Sequence, residues 1–276
     1  MIQVVKIRNA EIPALGFGTY GMGGPALVEL LGQAIVGGFR HIDTAQIYRN
    51  ESEVGAALAH ASVPRSDIFV TTKVWTANYP TRQFEASVDD SLRNLRTDYI
   101  DLLLLHWPNA GVPLSDQIGA LNETVATGKV RHIGVSNFNR ALMAEAVRLS
   151  KHPLVTNQFE YHPYLHQAPL IEATRRAGLA VTGYCGMAIG RVFSDPVLAT
   201  IASSHRRSIA QIVLRWLVQQ DAVIALSRTT NAGRIAENVA VFDFELTPHE
   251  MSEIHSLAVP NSRIVDPPGL APIWDE

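Results

Sequence analysis

Eight short apolar runs recur along the chain, with polar, turn-forming stretches between them. They are Ala14–Gly18, Phe39–Thr44, Ile68–Val74, Tyr99–Leu105, His132–Val135, Leu154–Phe159, Leu179–Gly183 and Ala222–Leu226. Each has the length of a strand but not the apolar–polar alternation of a half-exposed one, which marks strands buried on both faces of a parallel sheet. Between the runs the period becomes helical. Leu27, Leu30, Leu31, Ala34 and Ile35 fall at i, i+3, i+4, i+7 and i+8, and Gly37–Gly38 supplies a stop. Phe84, Val88, Leu92 and Leu95 repeat the theme behind Thr81, which is placed as an N-cap. Arg207–Gln219 predicts the helix before the eighth run, with Ile209, Ile212, Val213 and Trp216 on one face. Thr247–Leu257 predicts one more helix, capped by Thr247 with Pro248 in its first turn.

Eight strands alternating with helices predict a (β/α)8 TIM barrel. Ahead of it, residues 3–13 (VVKIRNAEIPA) predict two strands turning at Arg8–Asn9, a hairpin placed to close the barrel bottom. Behind the extra C-terminal helix, Pro260–Glu276 is proline-rich and reads as an irregular tail. No linker, low-complexity stretch or charge block divides the chain, so residues 1–276 read as a single barrel domain.

Composition narrows the partners. With 47% hydrophobic and 18% charged residues, the 276-residue chain can build one large core. A net charge of −3 offers no general attraction to nucleic acid or an anionic membrane, so any phosphate must be held by local cations. Cys185 is the only cysteine, which fits a reducing, cytoplasmic setting. The opening MIQVVKIRNAEIP lacks the basic start and apolar stretch of a secretion signal, and no apolar run approaches the ~18 residues of a membrane span. The expectation is a monomer acting on small molecules, with no nucleic-acid or membrane partner.

The candidate chemistry lies at successive strand ends. Asp43 and Tyr48 sit in HIDTAQIY, Lys73 in FVTTKVW, and His106 follows IDLLLL. In a parallel barrel these ends converge on one face, which carries the reactive groups. A carboxylate, a phenol, an amine and an imidazole suit reduction of a carbonyl, whose oxygen gains charge and needs a proton. A phenol with a pKa near ~10 is a reluctant donor. A neighbouring Lys73 ammonium is expected to bring that pKa towards neutrality, with Asp43 keeping the lysine charged and His106 orienting the carbonyl. Singly, each residue also has an ordinary reading: Asp43 as a helix cap, Tyr48 as a loop tyrosine, Lys73 as a strand-end cation, His106 as a turn histidine.

These residues stand in segments that resemble the aldo-keto reductase family over nearly the whole chain. The segments are GFGTYGMG, GFRHIDTAQIYRNESEVG, TTKVW, DLLLLHWP, GKVRHIGVSNF, TNQFEYHPYL and RIAENVAVFDFEL. The chain looks most similar to prokaryotic members of the 2,5-diketo-D-gluconate reductase type. The resemblance implies Tyr48 as acid/base, Lys73 and Asp43 as its tuners, and His106 as carbonyl orienter.

No GxGxxG follows the first run, so a Rossmann site has no support and the barrel rim must bind any dinucleotide. Ser136, Asn137 and Gln158 can hydrogen-bond a carboxamide, and the resemblance assigns them to that of nicotinamide, with Asp43 nearby. Tyr184 is assigned to stack on the nicotinamide ring. Gly18 and Thr19, in the first signature segment, belong to the same implied cofactor set. Arg228 and Arg234 flank an expected helix start, a good setting for the phosphomonoester that distinguishes NADPH from NADH. Thr229 matches a further phosphate contact, and Glu237 and Asn238 match adenine contacts. NADPH is therefore the expected cofactor, with NADH as a weaker alternative. Two segments depart from the family pattern. Tyr184-Cys185-Gly186-Met187-Ala188 stands where YSPLG is common, which implies a more flexible loop whose backbone lines the pyrophosphate, with Arg191 adding a contact. Ser227-Arg228 replaces Pro-Lys, exchanging a point charge for a planar fork.

Tyr20, Tyr48, Trp75, His106, Trp107 and Trp274 are the expected substrate walls, although at least one tryptophan should be core. Gly21, Gly23 and Gly24 are expected to make a flexible entrance loop. Small dicarbonyls, keto-sugars and aromatic aldehydes suit such a pocket. No metal is expected, since His162 and His166 are separated by Pro163 and have no third ligand. Two other readings stay open. One is a Schiff-base aldolase using Lys73. The other is a cofactor-sensing interaction module without turnover.

Overall fold

The computed structural model describes residues 3–275. Its first element is an antiparallel hairpin of β1 (Val4–Ile7) and β2 (Ala10–Pro13), in register from Val4 opposite Pro13 to Ile7 opposite Ala10. The turn falls at Arg8–Asn9 as expected, with Arg8 left-handed at φ +52°. A non-glycine residue resists that conformation. Arg8 also gives Nε to Gly178 O (3.1 Å) and a terminal nitrogen to Ala177 O (2.7 Å), tertiary bonds that offset the local cost.

Eight parallel strands follow: β3 (Leu15–Gly18), β4 (His41–Asp43), β5 (Phe69–Val74), β6 (Ile100–Leu105), β7 (Val130–Ser136), β8 (Leu154–Glu160), β9 (Ala180–Tyr184) and β10 (Val223–Ser227). They close in chain order, with β10 returning to pair with β3. Each matches one of the eight apolar runs, within about two residues at either end. Their buried residues divide between two environments. Leu15, Phe17, Ile42, Val70, Leu103, Leu105, Ile133 and Val135 join the main core with the helices. Leu102, Leu104, Val155, Ala180 and Ile224 fill the barrel interior, where Ala10 and Ile12 of the hairpin meet them. The hairpin thus floors the barrel with its own apolar face.

The helices are α1 (Gly24–Val36), α2 (Glu51–Ala59), α3 (Thr81–Leu95), α4 (Leu114–Ala126), α5 (Arg140–Leu149), α6 (Ala168–Arg176), α7 (Pro196–His205), α8 (Ile209–Val218), α9 (Arg234–Val239) and α10 (Pro248–His255). Leu27, Leu31, Ala34 and Ile35 are the buried stripe of α1, and its stop at Gly37 is followed by Gly38 at φ +108°. Ser208 with Gln211 and Thr247 with Glu250 form full capping boxes on α8 and α10. Thr81 does not cap α3. It is the first helical residue, behind Pro80, and no side chain caps that end. Helix α7 went unpredicted, although Asp195 caps it and Pro196 opens it. Gly55 is obligatory on α2, because a Cβ there would sit 2.1 Å from Asn94 O of α3.

Candidate active site

Asp43 is the last residue of β4, Lys73 lies next to the end of β5, and His106 directly follows β6. The alternation of a strand turns Asp43 and Lys73 into the barrel while Ile42 and Val74 pack outward with the helices. Both reactive side chains are almost wholly buried. The Lys73 ammonium contacts Asp43 Oδ1 at 2.5 Å and donates to Thr44 O at 2.9 Å. It also lies 5.1 Å from the Tyr48 ring centre, close enough for its charge to act on the phenol. The Tyr48 ring packs edge-on to His106 (centroids 5.7 Å), and Trp75 packs edge-on to the other side of the site, 5.5 Å from His106. The four residues expected to act together are therefore one cluster.

Burial would strip Lys73 of its charge, but Asp43 and then Tyr48 outweigh it, and the net shift of its pKa is upward. His106 is held neutral: burial first, then the Lys73 charge, pushes its pKa well below the ordinary histidine value. Its Nδ1 is buried without a hydrogen-bond partner among the described residues. Tyr48 corrects an expectation. Lys73 does pull its pKa down, but loss of solvent pushes harder in the opposite direction, so the net shift is upward rather than towards neutrality. The phenol stays protonated, which is the form a proton donor needs.

The loops that hold Tyr48 are fixed by two amides. Asn50 is fully buried, accepts the Thr44 hydroxyl at 2.7 Å and donates to Thr19 O and Met22 O at 2.9 Å each. Gln46 accepts the Trp75 N–H at 2.9 Å and donates to Ser87 O at 3.1 Å. Tyr48 is thereby held between neighbours on both sides. The same bonds hold the Gly21–Gly24 loop at its root, where Gly24 also donates to Glu53. Neither amide was singled out from sequence. The signal was their place beside Tyr48 in one signature segment.

The remaining expected residues gather on the same rim. Gln158 of β8 donates its amide to Asp43 Oδ2 at 2.9 Å. Asn137, left-handed at φ +62°, gives its side-chain amide to His106 O (3.0 Å) and Ser136 Oγ (3.1 Å) and accepts the Tyr184 hydroxyl at 2.7 Å. Ser136 donates to Gln158 O at 2.9 Å. Thr19 is buried and donates to Asp43 O, while Gly18 pairs in register with Asp43. Tyr184 is half-buried, and its pKa is pushed well up by burial and then by Glu160. The Cys185–Met187 loop follows, with Cys185 left-handed and its thiol pushed up to about 11 by burial. Arg191 is exposed, and its guanidinium lies 3.9 Å from the centre of the Tyr164 ring.

After β10, Arg228 and Arg234 are exposed, and among the described residues neither has a carboxylate partner. Arg228 donates to Tyr20 O at 2.6 Å, joining the first and last barrel loops. Thr229 and Asn238 are buried, Asn238 donating to Ser227 Oγ at 2.8 Å, while Glu237 is exposed. On the substrate side, Tyr20 is exposed and edge-on to Tyr48 (5.1 Å), and Trp107 meets Trp274 of the tail at 6.4 Å. Trp216, at 1% exposure, is the core tryptophan. A crevice of about 330 Å³ opens at the opposite end of the barrel, beside the hairpin, and contains none of these residues.

The sequence model of the aldo/keto reductase family matches residues 14–259. The chain belongs to that family. Among curated relatives, the methylglyoxal reductase DkgB of Salmonella typhimurium is 36% identical, covering 96% of this chain and 99% of its own. A glyoxal reductase of Bacillus subtilis is 35% identical over 92% of each chain. A crystal structure provisionally described as a 2,5-diketo-D-gluconic acid reductase B superposes with a TM-score of 0.98. It is 55% identical, covering 100% of this chain and 98% of the other. The barrel of that crystal structure is the one seen here, and the two curated relatives are named for reduction of carbonyl compounds.

Proposed function

We propose that this protein reduces small aldehydes and ketones with NADPH, dicarbonyls of the methylglyoxal type foremost, using Tyr48 as proton donor. The observation that carries the reading is the buried chain Asp43–Lys73–Tyr48 facing a neutral His106. Its relatives named for glyoxal and methylglyoxal reduction support the substrate class.

The rim fits the cofactor. Arg228 and Arg234, exposed and without carboxylate partners among the described residues, would take the ribose phosphate that NADH lacks, with Thr229 beside them. Glu237 and Asn238 would flank the adenine, and Gly18, Thr19 and the Cys185–Met187 backbone the diphosphate. Tyr184 would carry the nicotinamide, whose carboxamide would meet Ser136, Asn137 and Gln158. The amide nitrogen of Gln158 is already given to Asp43, which leaves its oxygen as the acceptor. When bound, the reduced nicotinamide supplies a hydride to the carbonyl carbon.

The chain's own groups do the rest. Neutral His106 donates a hydrogen bond to the carbonyl oxygen and fixes its direction, which a protonated ring beside Lys73 would not do without a large electrostatic cost. As negative charge grows on that oxygen, the Tyr48 hydroxyl gives up its proton to it. The phenolate left behind is stabilised by the Lys73 ammonium, which Asp43 keeps charged, and it regains a proton from solvent. The aromatic walls of Tyr20, Trp75 and Trp107 exclude water from the reacting atoms. The aldolase alternative loses ground here, since a lysine ion-paired and shifted upward is not a free amine nucleophile. The test is to follow NADPH absorbance with methylglyoxal. Turnover favouring NADPH over NADH is expected, and NADPH bound without oxidation across a broad carbonyl panel would reject the reading.

A further inference from the structure

The strand that sends Gln158 to Asp43 ends two residues later in Glu160, and no step of the proposed reaction uses it. Glu160 is fully buried. One carboxyl oxygen accepts the Ile264 N–H and the other the Val265 N–H, each at 2.8 Å. His162, also fully buried, places Nε2 at 3.0 Å from the first oxygen. Its Nδ1 accepts the Tyr164 N–H at 3.2 Å, so the ring hydrogen sits on Nε2 and points at Glu160. A buried carboxyl group must have its acceptors filled, and here backbone of the tail fills them.

The tail that starts there reaches two other loops on the same rim. The Trp274 indole N–H donates to Asp266 at 2.9 Å, and the Arg263 guanidinium stacks on the Trp274 ring at 3.7 Å. The Trp274 ring then packs edge-on to Trp107, the residue after His106. Beyond it, Asn139 donates to Ile273 O at 2.8 Å and the Arg140 N–H donates to Asp275 at 2.6 Å. The near attachment is buried; the far one lies at the surface.

We propose that Glu160 is a positioning residue for the substrate. It anchors the tail at Ile264–Val265 and thereby sets Trp274 against Trp107, so a carboxyl group that never touches substrate fixes the width of the pocket. The role rests on the reductase reading of the site. Glu160 also stands in register with Tyr184, so one strand end joins the nicotinamide platform to the substrate wall. Losing the anchor releases the tail at its root, whereas losing the Asp275 contact frees only its tip.

The test compares the unaltered protein with Glu160→Ala, Glu160→Gln and Trp274→Ala. Amide hydrogen exchange is read on tail peptides, and steady-state kinetics on methylglyoxal and a bulky aromatic aldehyde. In Glu160→Ala the Ile264 and Val265 amides should exchange about 100-fold faster. The KM for the aromatic aldehyde should rise about tenfold, while kcat and the methylglyoxal KM stay within about twofold. Glu160→Gln, which keeps one acceptor oxygen, should fall between. Trp274→Ala should reproduce the KM change without exposing the two amides. Unchanged exchange at 264–265, a parallel loss of kcat on both substrates, or an unaffected aromatic KM in Trp274→Ala would overturn the proposal. If Glu160→Ala does not fold, Glu160→Gln and Trp274→Ala decide it. An unaltered protein without turnover refutes the reductase reading instead, and the exchange experiment still reports on the anchor.

Discussion

Two acid–base clusters stand at opposite ends of this barrel, built from almost the same residue types. At the reactive end, Asp43 and Lys73 are 3% and 1% exposed, and Lys73 lies 5.1 Å from the Tyr48 ring centre. At the floor, Asp101 is similarly buried, but its partners Arg65 and Arg131 are 21% and 49% exposed. The two guanidinium groups lie over the Tyr99 ring at 4.3 and 3.7 Å, so that tyrosine is engaged through its π face. Arginine cannot give up its proton and water screens it, so the floor cluster is a fastener between β5, β6 and β7. Lysine shut away from water acts at full strength on a neighbouring phenol. Equal ingredients thus make a fastener or a reactive centre according to which cation is used and how dry it is.

The contrast can be broken at several points. The largest effect should follow Tyr48→Phe, which removes the only proposed proton donor. We expect kcat to fall by about 10⁴-fold with NADPH binding by fluorescence unchanged, and turnover within tenfold of normal would end the assignment. Lys73→Met should lower kcat by about 10²- to 10³-fold. Arg131→Met, the matching change at the floor, should leave kcat alone; a similar loss from both would erase the distinction. Asp101→Ala tests the fastener. Removing the acceptor of the Val70 N–H and the partner of two partly exposed arginines should cost about 2 kcal/mol in urea unfolding, with activity per folded molecule intact. Arg234→Ala should raise the KM for NADPH about 30-fold, as expected for one lost charged contact of about 2 kcal/mol, and leave that for NADH within twofold.

The smallest expected effect is a flat line. Reduction needs protonated Tyr48, and its pKa is shifted above its ordinary value of 10.0 because burial outweighs Lys73. The acid form therefore persists through the neutral and mildly alkaline range. The kcat/KM for carbonyl reduction should show no alkaline fall between pH 7 and about 9.5 and should decline only beyond. A falling limb near pH 8 would mean that the Lys73 charge overrides burial after all.

Much of this was legible in the chain. Strand positions followed from apolar runs because both faces of a parallel barrel strand are buried, and Asp43, Tyr48, Lys73 and His106 followed from standing at the ends of those runs. What escaped depends on bonds to backbone. Asn50 and Glu160 act on main-chain atoms of distant loops, so no side-chain pattern announces their partners. The tail reads as irregular for the same reason: its order comes from bonds to Glu160, Asn139 and Arg140 and not from its own periodicity. The shift of Tyr48 runs opposite to the expected one because sequence reveals the neighbouring charge but not the missing water.

The closure of β10 on β3 has a consequence for how the molecule is made. Leu15 finds its partner only at Ala225, and the floor residues Ala10 and Ile12 gather neighbours from Leu102 through to Ile224. A ribosome delivers the first barrel strand early and its second neighbour more than 200 residues later, so that edge stays unpaired for most of synthesis. Such long-range pairing also slows folding. Slow, late closure makes the first strand the place where a nascent chain is most open to aggregation or chaperone capture.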